Sequence, residues 1–145
     1  MTRLSLPRDT EGLNARAKDY LPGLLGIEFL SAEPALVTGR LPVSKALMAP
    51  NNFLHAASVI ALVDTLAGFG AVLNLPEGAQ GFTTVELKSN FMGTVRDGGV
   101  VLGEAMPVHL GRTTQIWDAT AKDEASGKTI ALFRCTQMIL WPKEG

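Results

Sequence analysis

A lone cysteine, Cys135, leaves the chain unable to build an internal disulfide framework or a cysteine-rich metal site. Such cysteine usage suits a reducing compartment, and a cytoplasmic location is expected. Neither sign of charge is in excess: 13 Lys and Arg against 14 Asp and Glu give a formal net charge of −1. No basic run occurs, and the few aromatics are not interleaved with Lys or Arg, so nucleic acid is not an expected partner. The first residues, MTRLSLPRDTEGLNARAKDY, contain no continuous apolar stretch and make a poor signal peptide. Internal repeats, linkers and low-complexity segments are also missing. What remains is an ordinary globular composition, 46% hydrophobic and 19% charged over 145 residues, enough for one good core.

The most apolar segment, AASVIALVDTLAGFGAVL (56–73), carries a single charge, Asp64, near its middle. Its length approaches a bilayer span. The central carboxylate, the flanking His55 and Asn74 and the lack of a second such segment argue instead for a helix in a protein core. An ionised carboxylate in apolar surroundings costs several kcal/mol, on the order of 3–5, unless it is paired, hydrated or neutralised. Asp64 is therefore either a structural carboxylate satisfied by local donors or a catalytic one.

The rest of the chain frames that helix. A short helix is expected at 10–20, capped by Asp9 or Thr10 and ended by Leu21-Pro22-Gly23. Residues 26–33 and 35–43 read as strands joined at Glu33-Pro34, and 44–52 as a turn leading into a helix from His55 to Leu75, stopped by Pro76 and Gly78. Four strands follow at 80–92, 99–109, 112–123 and 128–141, separated by turn signals at 96–99, 110–111 and 124–127. Long strands with tight connections form an antiparallel sheet, and a helix apolar nearly all round is enclosed by it. The fold class is α+β, a curved antiparallel sheet wrapped around a long central helix. On the helical wheel Ala57, Ala61, Asp64, Gly68 and Ala71 make one small-residue stripe, which suits a carboxylate at the floor of a narrow cleft.

The segment NNFLHAASVIALVDTLAGFG (51–70) resembles the hotdog-fold acyl-CoA thioesterases of the phenylacetic-acid-degradation type. Their signature is His-Gly-Gly, six residues, then Asp in a Leu-x-Asp context; here it reads His55-Ala56-Ala57 and Leu62-Val63-Asp64. TTVELKSNFMGTVRDGG (83–99) is similar to the next family strand and its glycine turn, and residues 107–139 resemble the last hairpin. One departure stands out: Ala56 and Ala57 replace two glycines. Alanine keeps the N–H donor, but its methyl group narrows the approach, which bears on acyl size and rate more than on fold.

The resemblance implies an N-terminal helical segment (1–24) followed by one hotdog domain (25–145). It also implies hydrolysis of acyl-CoA to a carboxylic acid and coenzyme A, with no metal and no cofactor beyond the coenzyme A of the substrate. Nine helical residues separate His55 from Asp64 by about 13.5 Å along the axis and half a turn around it, so the two cannot touch within one chain. A site using both needs two copies, which agrees with the homodimer, or dimer of dimers, that the resemblance implies. In that site the Ala56 N–H polarises the thioester carbonyl and Asp64 of the facing subunit acts as general base or nucleophile. Thr84 holds a water, Asn51 or Asn52 orients a carbonyl or the carboxylate, and His55 caps the helix, holds the Asn loop or contacts substrate. Coenzyme A phosphates are assigned to Lys88, Arg96 and Arg112, with Ala57, Val85, Gly111 and Thr113 alongside. His109 is assigned to a surface or packing role and Cys135 to packing. Phe53, Phe69, Phe82, Phe91 and Met92 line either an acyl pocket or the core. A non-catalytic acyl-CoA-binding module is the alternative, and no membrane partner is expected.

Overall fold

The computed structural model describes residues 5–143. Helix α1 (Thr10–Ala17) and the short α2 (Leu21–Leu25) precede strands β1 (Glu28–Glu33) and β2 (Leu36–Pro42). After a 3-10 turn at Lys45–Leu47 comes the long helix α3 (Ala56–Leu73), then β3 (Gly81–Phe91), β4 (Val100–Leu110), β5 (Thr114–Asp123) and β6 (Thr129–Leu140). The strands form one antiparallel sheet in the order β1-β2-β4-β5-β6-β3, and α3 packs against all six. The expected α+β hotdog architecture is therefore present, with strand and helix ends shifted by at most three residues from the sequence pattern.

Helix α3 is long and apolar enough to cross a membrane, but its apolar surface is used in the core. Leu62, Val63, Leu66 and Ala67 are fully buried against the sheet. Burying each of the larger side chains stabilises the fold by about 2 kcal/mol. Glycine sets how closely helix and sheet approach. A Cβ on Gly70 would come within 2.4 Å of the Trp117 ring, and one on Gly103 within 2.7 Å of Leu66 Cδ1. The C-terminus of α3 is tied down by a partly buried network that the sequence pattern did not disclose. Asn74 Nδ2 donates to Gly70 O at 2.9 Å, Gln115 Nε2 donates to Asn74 O at 2.8 Å, and Trp117 Nε1 donates to Gln115 Oε1 at 2.9 Å.

The N-terminal segment corrects one expectation. The first helix stops at Ala17, and Leu21-Pro22-Gly23 opens α2 rather than merely ending α1. Proline fits in a first turn because its missing N–H would have no helical partner there. Asp9 caps α1 by accepting from the Gly12 N–H at 2.7 Å. α1 then docks on the core through buried Leu13 and Ala17. Asn14 holds it in register, exchanging hydrogen bonds with the Phe29 backbone at 3.0 and 2.8 Å.

The two sheet edges are β1 and β3. β3 is long and exposes Val85, Leu87 and Phe91, an apolar edge with unpaired backbone groups. Leu54 N–H donates to Thr94 Oγ1 at 2.9 Å, which fixes the N-terminus of α3 at the end of the sheet where Arg96 lies. The helix C-terminus lies at the opposite end, beside Gln115.

Candidate active site

The strand β3 carries a bulge: Thr84 pairs with Gln137 and Glu86 with Thr136, so Val85 is the extra residue. Ahead of the bulge, Phe82 and Thr84 share one face by the two-residue period of a strand. That face meets Asp64 and Gly68 of α3. The four residues, with Phe69, line a cavity of about 490 Å³ that α1 walls on its far side through Leu13 and Ala17. Of the five candidate pocket residues Phe69 and Phe82 line it, whereas Phe53, Phe91 and Met92 are exposed away from it. The small-residue stripe leads into the same place: Ala57 is exposed, Asp64 and Gly68 face the cavity, and Ala71 is buried.

Among the described residues Asp64 is the only acidic side chain on the cavity wall. Its Oδ1 is buried and accepts no hydrogen bond among the described residues. A buried carboxylate oxygen without a donor is rare and unfavourable in a structural role. Burial raises the Asp64 carboxyl above its ordinary pKa, so it is a stronger base than an exposed aspartate. The thiol of Cys135 stands near enough to feel that charge. Burial, with Asp64 adding, pushes it up to about 12, so it stays protonated and is no nucleophile at neutral pH. Thr84 Oγ1 donates to Gln137 Oε1 at 2.7 Å.

The other half of the expected constellation lies elsewhere. His55 is the N-cap of α3: its Nδ1 accepts from the Ala57 N–H at 3.0 Å, and its carbonyl accepts from Ser58 N–H at 2.9 Å. The exposed Ala56 N–H has no acceptor among the described residues, and it points from the positive end of the helix dipole. None of His55, Ala56 or Ala57 lines the Asp64 cavity. Asn52, held at φ 65°, joins Lys45, Arg96 and Asp97 around a second cavity of about 610 Å³, while Asn51 closes its own turn by accepting from Phe53 N–H at 3.2 Å.

The candidate phosphate ligands are dispersed. Lys88 sits on β3 beside Asp118 and Arg134 in a third depression. Arg112, in the β4–β5 turn with Gly111 and Thr113, stacks 4.2 Å over the Trp141 ring. It is separated from Arg96 by the whole length of β4, about 30 Å. One chain cannot bring both to one phosphate. His109 and Cys135 occupy the exposed strand end and the packed interior expected of them. Two contributors escaped the sequence reading. Gln137 carried a signal, as a polar residue in register with inward-facing Phe133, Cys135 and Ile139. The α1 wall carried none, because its amphipathic pattern does not say which surface it covers.

One long helix packed against all six strands of a single antiparallel sheet is the architecture of the hotdog fold. Residues 51–130 match the thioesterase superfamily. The proofreading thioesterase EntH of Klebsiella pneumoniae is 33% identical over 112 residues, 77% of this chain and 80% of that protein. The 1,4-dihydroxy-2-naphthoyl-CoA hydrolase of Escherichia coli is 28% identical over 130 residues, 90% of this chain and 93% of that one. The crystal structure of a thioesterase from Pseudomonas aeruginosa superposes with a TM-score of 0.85 at 28% identity, covering 97% of this chain and 99% of the other. The chain belongs to the thioesterase superfamily, and it is a thioester hydrolase.

Proposed function

We propose that the chain hydrolyses acyl-CoA thioesters at a site completed by two copies, the acyl group lying in the Asp64 cavity of one and the carbonyl meeting the Ala56 N–H of the other. The observation that carries this reading is the buried Oδ1 of Asp64, without a donor among the described residues, on the wall of an apolar cavity beside Thr84. The likeness to a naphthoyl-CoA hydrolase supports coenzyme A as the thiol carrier. The exposed apolar edge of β3 and the separation of the two half-sites along α3 support pairing of chains.

In the reaction, Asp64 takes a proton from water and the water oxygen adds to the thioester carbonyl carbon. The carbonyl π pair moves to oxygen, where the partner's Ala56 N–H and the helix dipole hold the developing charge. Collapse of the intermediate breaks the C–S bond. The departing thiolate takes the proton from Asp64, giving a carboxylic acid and coenzyme A. Cations at the cleft mouth receive the phosphates, and because Arg96 and Arg112 are far apart in one chain they serve the same ligand only if contributed by different copies.

The test is release of free thiol from a panel of acyl-CoA esters by the wild type and by Asp64→Asn. The proposal expects wild-type turnover and a loss of about 10²–10⁴ in kcat for the variant with the fold retained. Normal turnover by a folded Asp64→Asn protein overturns it.

A further inference from the structure

Among the described residues three polar side chains are buried in the core: Ser58, Gln115 and Gln137. Two have plain structural tasks. The Ser58 hydroxyl donates to Leu47 O at 2.9 Å ahead of α3, and Gln115 bridges Asn74 and Trp117 at its far end. Gln137 ties together nothing of that kind. It is 0% exposed, its Nε2 reaches only the Cys135 sulfur at 3.4 Å, and its Oε1 accepts the Thr84 hydroxyl at 2.7 Å. Burying an amide for one good hydrogen bond is unfavourable beside an apolar residue of the same size. The bond it makes therefore has a reason outside stability.

A threonine hydroxyl has one proton and two acceptor lone pairs. With its proton given to Gln137, Thr84 presents only lone pairs to the cavity it shares with Asp64. The ionised Asp64 carboxylate is likewise an acceptor only. Two acceptors facing one cavity match the two O–H donors of a single water. We propose that Gln137 is a positioning residue: it fixes the Thr84 hydroxyl as an acceptor, so that Thr84 and Asp64 each take one O–H of the attacking water and leave its lone pair aimed at the thioester carbon. The Cys135 sulfur orients the amide by taking Nε2, which turns Oε1 toward Thr84. The bulge at Val85 sets the strand pairing that puts Thr84 opposite Gln137. In the addition step one water proton moves to Asp64, the other O–H stays on Thr84 Oγ1, and the oxygen lone pair forms the new C–O bond.

The inference rests on the hydrolytic role of Asp64, and the experiment separates the two. Gln137→Met, Thr84→Val, Thr84→Ser and the Gln137→Met/Thr84→Val double variant are compared with Asp64→Asn for kcat, KM and thermal melting. Gln137→Met and Thr84→Val should each lose about tenfold to a hundredfold in kcat at unchanged KM. The double variant should lose no more than either alone, because Gln137 acts only through Thr84, and Thr84→Ser should keep most of the rate. A Gln137→Met protein with wild-type kcat, or losses that multiply in the double variant, overturns the inference while leaving Asp64 in place. Should Gln137→Met fail to fold, Thr84→Val decides: wild-type kcat there overturns it too. Full turnover by Asp64→Asn instead removes the reading beneath.

Discussion

His55 Nδ1 accepts the Ala57 N–H at 3.0 Å while the N–H of Ala56, one residue earlier, has no acceptor among the described residues. The cap thus satisfies the amides behind the helix tip and leaves the leading one available to a substrate carbonyl. His55→Ala should cost about 1 kcal/mol of stability through the lost cap. It should also lower kcat by loosening the first turn of α3. His55→Asn, a good cap, should restore much of the stability. Urea denaturation beside a thiol-release assay measures both.

Asp64 ties activity to pH. Burial raises its pKa in the folded chain above the unfolded value, so the acid limb of kcat/KM should lie above the ordinary carboxylate range. The same shift acts on stability with a definite sign. Between the two pKa values the folded chain binds the proton more tightly, so stability is full below the unfolded value and is lost as pH rises through the folded one. Asp64→Asn should therefore melt higher than wild type at neutral pH, with the gap closing in acid. A melting series across pH on both proteins checks it.

The cavity dimensions set acyl preference. A Cβ on Gly68 would stand 3.3 Å from Phe82 Cζ, so a larger side chain there fills the space between helix and β3. Gly68→Val should reduce kcat/KM for long or aromatic acyl-CoA esters by about tenfold or more relative to acetyl-CoA. The ratio of kcat/KM across the substrate panel is the readout.

Leu87, exposed on the edge strand β3, offers a way to weaken pairing of chains without touching the cavity. Leu87→Lys places like charges where two copies would meet along that edge. Specific activity should then fall on dilution, with the fall displaced to higher protein concentration than in wild type. Light scattering and activity across a dilution series follow both changes.

Much of this molecule was legible in its sequence because its period signals are strong. The alternation in β4, β5 and β6 and the apolar run of α3 each admit one arrangement, and the Leu21-Pro22-Gly23 stretch misled only about which helix it belongs to. Asp64 stood out as a charge in an apolar run. The relations between elements were less visible. Gly70 against Trp117, the Asn74–Gln115 bond and the Thr84–Gln137 bond join residues 41 to 53 positions apart or packed across layers, and no local pattern encodes them. The docking of α1 on the cavity was hidden for the same reason, since it depends on Asn14 meeting Phe29.

Subunit complementation tests the shared site most directly. Asp64→Asn removes the base, and Ala56→Pro removes the helix-tip N–H at the first helical position, where proline is tolerated after the extended His55. Each variant alone should be nearly inactive. Mixed under conditions that allow exchange, they should recover about a quarter of wild-type activity, since half the dimers are mixed and each mixed dimer holds one intact site. No recovery, with mixed dimers demonstrated by native mass spectrometry, would mean that base and amide act within one chain.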